Sequence, residues 1–351
     1  MLTPILRHAP TLSAAALLAI GAPLAAQQIT GYDPATGYQT APNSGGGYAD
    51  YSGDTAGSSF GNDSYSSTSG GGFTTPSGFY LRGVVEAELL KNRSEDDSIL
   101  YGDISFGFAP VGGGIGADFG LVGYDSSEDD ELAVYAAMSF GLGGGRMQVG
   151  APRAVLDDFM DIPPIGGSRF LDIGFGQMTS SFVSSYALVD GKTPYGLRYD
   201  TSMGALDLAA SAHQFGGDDQ SAVDVAAAYS FGAVTMSAGA EHVDGDDENG
   251  FNLIVGGKAT FGEMEGGLYY SNLQRPGDIE AWTAYGTWRP GSVPAVAVTG
   301  SLVTAREAGN EDTLFGVSAD YTFWQGAYVQ GGYLDGDGEK ATYDVSVGWK
   351  F

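Results

Sequence analysis

The sequence predicts an all-β chain whose strands close into a transmembrane antiparallel barrel. Three observations carry this: alternating segments recur from residue 79 onward, an export signal precedes them, and no long apolar run follows the signal. The last segment shows the pattern. Tyr343, Val345, Val347, Trp349 and Phe351 alternate with Asp344, Ser346, Gly348 and Lys350. Strand side chains point to opposite faces in turn, so one face is apolar and the other wet, as a wall between lipid and water requires. A single sandwich strand could show the same period, so the weight lies in the recurrence.

The N-terminus reads as an address. Arg7 and His8 form a weakly basic start, Leu12 to Ile20 is too short to span a bilayer, and Pro23-Leu24-Ala25-Ala26 offers small residues for cleavage before Gln27. Residues 1–26 are therefore expected to be a secretory signal peptide. No second apolar run of roughly 18 residues follows, which excludes a helical membrane protein. The chain has no cysteine, so neither disulfides nor a cysteine-linked lipid anchor are available. Residues 27–77, with Gly45-Gly46-Gly47 and Ser66-Ser67-Thr68-Ser69-Gly70-Gly71-Gly72, are poor in aliphatics and have no period. Such a stretch cannot bury enough surface to offset its ordering entropy and is expected to be disordered. An adhesive or wall-binding tail is the functional alternative.

Gly makes up 57 of 351 residues, charged residues are 17% and hydrophobic ones 43%. Lipid-facing and lumen-facing residues cancel in such an average. The formal charge is −28, and loss of residues 1–26 removes one Arg and no acid. That excess of acid argues against nucleic acid as a partner. It suits a surface that attracts divalent cations.

Sixteen alternating segments follow: 79–90, 98–108, 114–124, 131–141, 145–150, 194–200, 205–214, 222–231, 233–242, 251–261, 263–271, 280–288, 295–304, 313–323, 326–334 and 341–351. Most have the length a tilted strand needs to cross the hydrocarbon core. Their connections sort into two sets. One is long and mostly acidic, as in Asp244–Gly250 and Asp335–Lys340; the other is short and flanked by aromatics, as at Phe231-Gly232 and Phe261-Gly262. Long loops on one side and tight turns on the other are the mark of an outer-membrane barrel, and an even strand count puts both termini at the short-turn, periplasmic end.

Between Gly150 and Thr193 the alternation fails. Structureless stretches of that length inside a compact domain are usually functional. This one, about 151–193, holds Ala154-Val155-Leu156-Asp157-Asp158-Phe159-Met160-Asp161, Pro163-Pro164 and the apolar Phe170-Leu171-Asp172-Ile173-Gly174-Phe175. It is expected to fold inward and narrow the barrel; the alternative is an external loop over a neighbouring subunit. Met147-Gln148-Val149-Gly150 resembles the strand that leads into the constriction loop of Gram-negative general diffusion porins. Thr193-Pro194-Tyr195-Gly196-Leu197-Arg198-Tyr199-Asp200 resembles the strand that follows it, and Val347-Gly348-Trp349-Lys350-Phe351 is similar to the family's terminal strand. The likeness covers residues 79–351 and is nearest to alphaproteobacterial trimeric porins. It implies a sixteen-stranded homotrimeric barrel that passes small hydrophilic solutes, and it assigns Arg198 to the family's arginine after the loop. Residues 27–77 lie outside the family pattern.

Opposed acidic and basic rows orient water and polar solutes in such a pore. The candidate acidic row is Asp157, Asp158, Asp161 and Asp172; the basic side is Arg198 with Arg82, the latter from strand parity alone. Helix capping or solvation is the alternative role for each Asp. Asp103, Asp118, Asp207, Asp224, Glu241, Glu265, Asp320 and Asp344 share inward parity, against Lys258 and Lys350 besides the two arginines. Cation preference follows. Asp244, Asp246, Asp247 and Glu248 are weak candidates for Ca²⁺ or Mg²⁺ bridging to lipopolysaccharide, since Val255 stands where an EF-hand needs its last glutamate. An enzyme is disfavoured, because only His213 and His242 remain after the signal and no nucleophile–base spacing stands out. The other reading is an adhesin or structural barrel that binds through its acidic loops and N-terminal segment.

Overall fold

A computed structural model describes residues 73–74, 78–91, 96–109, 114–126, 130–159, 162–169, 181–217, 219–245, 249–274, 278–307, 310–324, 326–337 and 341–351. A two-residue strand, β1 (Phe73–Thr74), precedes the wall. The wall starts with β2 (Phe79–Lys91), β3 (Asp96–Phe108), β4 (Ile115–Ser126), β5 (Asp130–Leu142) and β6 (Gly145–Ala151). After the long connection come β7 (Pro194–Met203), β8 (Leu206–Phe215), β9 (Ser221–Phe231), β10 (Val234–Asp244) and β11 (Gly250–Phe261). The rest are β12 (Met264–Leu273), β13 (Ile279–Trp288), β14 (Val296–Glu307), β15 (Asn310–Trp324), β16 (Ala327–Gly336) and β17 (Thr342–Lys350).

Each of these strands pairs antiparallel with the next, and β17 pairs with β2 from Tyr343↔Lys91 to Lys350↔Val84. The sheet is therefore a closed sixteen-stranded barrel without a free edge, which is what a strand wall in lipid needs. All sixteen expected segments are strands, with ends shifted by a few residues. Phe351 seals the seam: its N–H donates to Gly83 O at 2.9 Å, and Gly83 N–H donates back at 2.7 Å. Gly83 has φ +148, and a Cβ there would lie 2.1 Å from Asp103 O, so the seam requires glycine. The β17 ladder stops at Val84, and β1 fills the edge left beside it through Phe73↔Leu81 and Thr74↔Tyr80. Apart from these two residues, the expected signal peptide and segment 27–77 lie outside the described residues, save for Phe73–Thr74.

The polarity of the wall is inside-out. On β17, Val345 and Val347 are 57% and 56% exposed while Asp344 and Ser346 are 5% and 1% exposed. A soluble protein places these types the other way round. The same inversion runs round the barrel, with Val134, Met138, Leu197, Val225, Leu268, Leu302 and Val317 exposed. Aromatic residues gather at both ends of this band: Tyr229–Phe231, Tyr321–Phe323 and Trp324–Trp349 at the short-turn end, Tyr270–Trp282 at the other. At about 3.3 Å rise per residue and a tilt of about 40°, the 12 residues of β11 cover roughly 28 Å, close to the apolar band of such barrels.

The connections sort by side less sharply in length than the sequence suggests. Gly143–Gly144, Gly204–Ala205, Gly232–Ala233 and Gly262–Glu263 are two-residue turns led by a glycine at positive φ. On the same side, however, 289–295 forms an ordered loop, held by Arg289 N–H donating to Glu263 O at 2.8 Å and Gly291 N–H to Glu263 Oε1 at 2.8 Å. Pro290 and Pro294 remove the N–H groups that a tight hairpin would use.

Candidate functional site

The connection between β6 and β7 lies, in its described parts, inside the barrel. It carries α1 (Val155–Phe159), a 3-10 turn (Ile165–Gly167) and α2 (Phe182–Val189). Five residues cannot hold a helix alone, and α1 depends on the wall. Val155, Leu156 and Phe159 pack on inward-facing Ala209, Ala226, Ile254, Tyr269, Leu273 and Tyr285, from β8, β9 and β11–β13. Its first N–H groups are held by Asp224 of β9: Val155 N donates to Oδ2 at 2.6 Å and Leu156 N at 3.1 Å. Ile165 then packs on Ile279, Ala281, Val303 and Ala305 of β13 and β14.

The 3-10 turn sits against two glycines of the wall, Gly316 and Gly332. Gly166 and Gly167 have φ +64 and +86. A Cβ on Gly316 of β15 would lie 2.3 Å from Gly166 N, and one on Gly332 of β16 would lie 1.9 Å from Gly166 O. Gln330 Nε2 donates to Gly167 O at 2.6 Å, and Gly166 N–H donates to Ser301 Oγ at 3.2 Å. The next two residues reach β2. Ser168 Oγ donates to Glu88, Arg169 N–H donates to Glu88 Oε2 at 2.8 Å, and Arg169 Nε donates to Glu86 Oε2 at 3.2 Å. The Arg169 guanidinium also lies over the Tyr101 ring at 5.3 Å.

α2 returns to the first side. Ser181 caps it by accepting from Ser184 N–H at 3.0 Å, and Phe182 packs edge-on to Phe215 of β8 at 6.0 Å between ring centroids. Ala187 at its other end packs with Ala133 and Tyr135 of β5. The described part of the connection thus touches β2, β3, β5 and β8–β16.

Between these contacts the sector from β2 to β7 carries an open recess lined by Arg82, Arg146, Arg153 and Arg198 with Tyr80, Asp118, Tyr135, Gln148 and Asp200. Register explains the clustering: Gln148 pairs with Arg198 and Arg146 with Asp200, so bases on β6 and β7 project side by side. Most of the arginines are matched. Arg146 bonds Asp118 and Ser139, the latter at 2.9 Å. Arg153 forks onto Asp103, with Nη1 to Oδ2 at 3.1 Å. Arg198, 3% exposed, holds Asp200 through Nε at 2.9 Å and Nη2 at 2.8 Å, and its Nη1 donates to Ala154 O at 3.4 Å. It therefore also braces the root of the loop. Arg82 lies over the Tyr80 ring at 5.4 Å, and its buried Nε has no hydrogen-bond acceptor.

Together these observations, a closed sixteen-strand wall with a loop laid across its interior, decide the fold. It is the porin fold. Mutants of the porin from Rh. blastica superpose with TM-scores of 0.56 and 0.57, at 19% identity over 78% of this chain and 100% of theirs. A triple mutant of the Rhodopseudomonas blastica porin superposes with a TM-score of 0.54 over the same shares, again at 19% identity. No family model matches the chain, and no curated protein sequence matches it.

Within this porin barrel the acidic candidates fall in different places. Asp157, on α1, accepts from Ser181 N–H at 3.1 Å and from the Ser184 hydroxyl, so it ties α1 to α2. Asp158 lies in α1. Asp161 and Asp172 lie outside the described residues, as do Asp246, Asp247 and Glu248; Asp244 is an exposed residue at the end of β10. Among the described residues no group of three or more acids or histidines is placed to hold a metal ion. Sequence parity counted Arg82, Arg198, Lys258 and Lys350 as inward bases, and the structure adds Arg146, Arg153 and Arg169 inside the barrel. Arg146 was legible, since it alternates with Gln148 and Gly150 on a strand already recognised. Arg153 and Arg169 were not, because they lie on the loop, where parity has no meaning.

Ser211, His213 and Asp224 also meet on the inner wall. The Ser211 hydroxyl donates to Asp224, and His213 Nε2 lies 3.8 Å from Asp224 Oδ1. The imidazole does not stand between hydroxyl and carboxylate, as activation of a nucleophilic serine needs.

Proposed function

We propose that this chain is an outer-membrane diffusion channel that passes ions and small hydrophilic solutes. The observation that carries the reading is the pairing of an apolar outer surface with an inner wall crossed by a loop that leaves an arginine-lined recess open. Sixteen strands enclose enough width for an aqueous channel, and an inward loop then sets its aperture. Charges fixed across that aperture orient water and solutes without any covalent step. In this reading Arg82, Arg146, Arg153 and Arg198 form the basic side, and Asp157, Asp158, Asp161 and Asp172 belong to the opposing loop.

Cation preference is part of the proposal. Three of the recess arginines are neutralised by Asp118, Asp103 and Asp200, while the whole chain carries −28. The long-loop end would face outward and the short-turn end, with both termini, the periplasm. Assembly as a homotrimer, removal of residues 1–26, and Ca²⁺ or Mg²⁺ at Asp244, Asp246, Asp247 and Glu248 bridging to lipopolysaccharide complete the reading.

Single-channel recording in planar bilayers under a KCl gradient tests it. Ohmic steps in multiples of three with a reversal potential favouring K⁺ are expected. Anion preference would leave the channel and remove the charge assignment. A folded barrel that passes no current would favour the adhesin or structural alternative.

A further inference from the structure

We infer that Asp224 and Glu241 form a carboxylate clasp that positions the crossing loop and so sets the aperture; this rests on the diffusion-channel reading. The two residues face each other across β9 and β10 as a register pair, and both are 0% exposed. Two like charges side by side on a sheet repel, and burying either without compensation is costly. Each is compensated by a different helix of the same loop. Asp224 accepts from Val155 N and Leu156 N at the start of α1. Glu241 accepts from Phe182 N at 2.7 Å and Val183 N at 3.3 Å at the start of α2.

The remaining partners belong to the wall. Ser211 donates to Asp224, and Asn252 Nδ2 donates to Glu241 Oε2 at 2.7 Å. Helix starts present unpaired N–H groups and a favourable dipole to an anion, so one acidic pair fixes the origin of both helices. Asp157 then couples the two helices to each other through Ser181 and Ser184. Asp224 and Glu241 share the inward parity of pore-lining acids, yet their oxygens are taken up by loop backbone. They are positioning residues, and their charge does not belong to the ion path.

The test separates capping from charge. Asn and Asp are comparable helix caps, whereas Ala is not, and each lost cap shifts the docked loop towards release by about tenfold. The variants are Asp224→Asn with Glu241→Gln, and Asp224→Ala with Glu241→Ala. They are read by reversal potential and by liposome swelling with a monosaccharide and a trisaccharide. The amide pair should keep the reversal potential and the size discrimination of the wild type. The alanine pair should lose size discrimination and give unsteady current levels. An amide pair that shifts the reversal potential as far as the alanine pair, with discrimination intact, would place both acids in the ion path and overturn the clasp. Alanine variants indistinguishable from wild type would overturn it as well.

If the wild-type barrel folds but does not conduct, the channel reading fails and the clasp is judged by amide hydrogen exchange. Faster exchange at Val155, Leu156, Phe182 and Val183 in the alanine pair, but not the amide pair, supports it; equal exchange overturns it. The same measurement on the amide pair alone decides the matter if the alanine pair does not fold, with protection expected to match wild type.

Discussion

The β2–β7 sector and the β8–β16 sector of the inner wall are built from the same alternating strands but solve different problems. In the first, inward positions hold ion pairs around a recess: Arg198 with Asp200, Arg146 with Asp118, Arg153 with Asp103. In the second, many inward positions are apolar or glycine, as with Ile254, Tyr269, Tyr285, Gly316 and Gly332. These residues do not face water, because the loop lies on them. The inside of this barrel therefore has two surfaces, one polar and ion-paired around the recess and one made apolar or flat to receive the loop.

The largest effect should come from breaking the polar sector at its most buried pair. Arg198→Ala leaves Asp200 uncompensated and should cost about 3–5 kcal/mol in denaturant unfolding of the refolded barrel. Replacing both partners by Met and Leu should recover most of that loss, which would show that the pair specifies geometry more than it stabilises.

In the loop-covered sector Leu156→Ala empties a fully buried position and should weaken loop docking by about 2–5 kcal/mol. The expected signature is protease cleavage between β6 and β7 while the sixteen-strand wall stays intact on a gel. Loss of the whole barrel instead would mean that the loop and the wall fold as one unit. Gly332→Val drives a side chain towards Gly166 O and should cost about 1–3 kcal/mol by the same cleavage assay.

Arg82→Ala should change stability little, because its contact is a ring face and not a buried carboxylate. It should move the reversal potential further towards cations, whereas Leu156→Ala should change solute size discrimination first. The smallest effect is expected outside both sectors. Arg306, at the long-loop end between Glu280 and Glu311, is exposed, and Arg306→Ala should leave the melting temperature unchanged within error.

The wall was legible because a strand between an apolar and a polar surface keeps a period of two, and each of the sixteen segments follows it over most of its length. Arg198 was legible from its neighbours, Tyr195, Leu197 and Tyr199 facing one way and Asp200 the other. The inward apolar residues were harder to interpret. Ile254 breaks the polar face of β11, and in the sequence it reads as a blemish in the alternation; only the helix packed over it gives it a purpose. Asp224 and Glu241 were counted with the pore acids, because parity reports which face a residue is on and not what covers that face.

The sequence by itself determined the strands, the antiparallel wall and the place of the long interruption. These follow from local rules: side-chain alternation, strand length against bilayer thickness, and glycine at the turns. Fourteen strands stayed open until the β17–β2 pairing closed sixteen. The tertiary structure decided where that interruption lands. Its seat on Gly316 and Gly332, its grip on Glu86 and Glu88 through Ser168 and Arg169, and its capping by Asp224 and Glu241 join residues far apart in the chain. No local period encodes such contacts; they exist only once the barrel has closed and gives the loop an inner surface to bind.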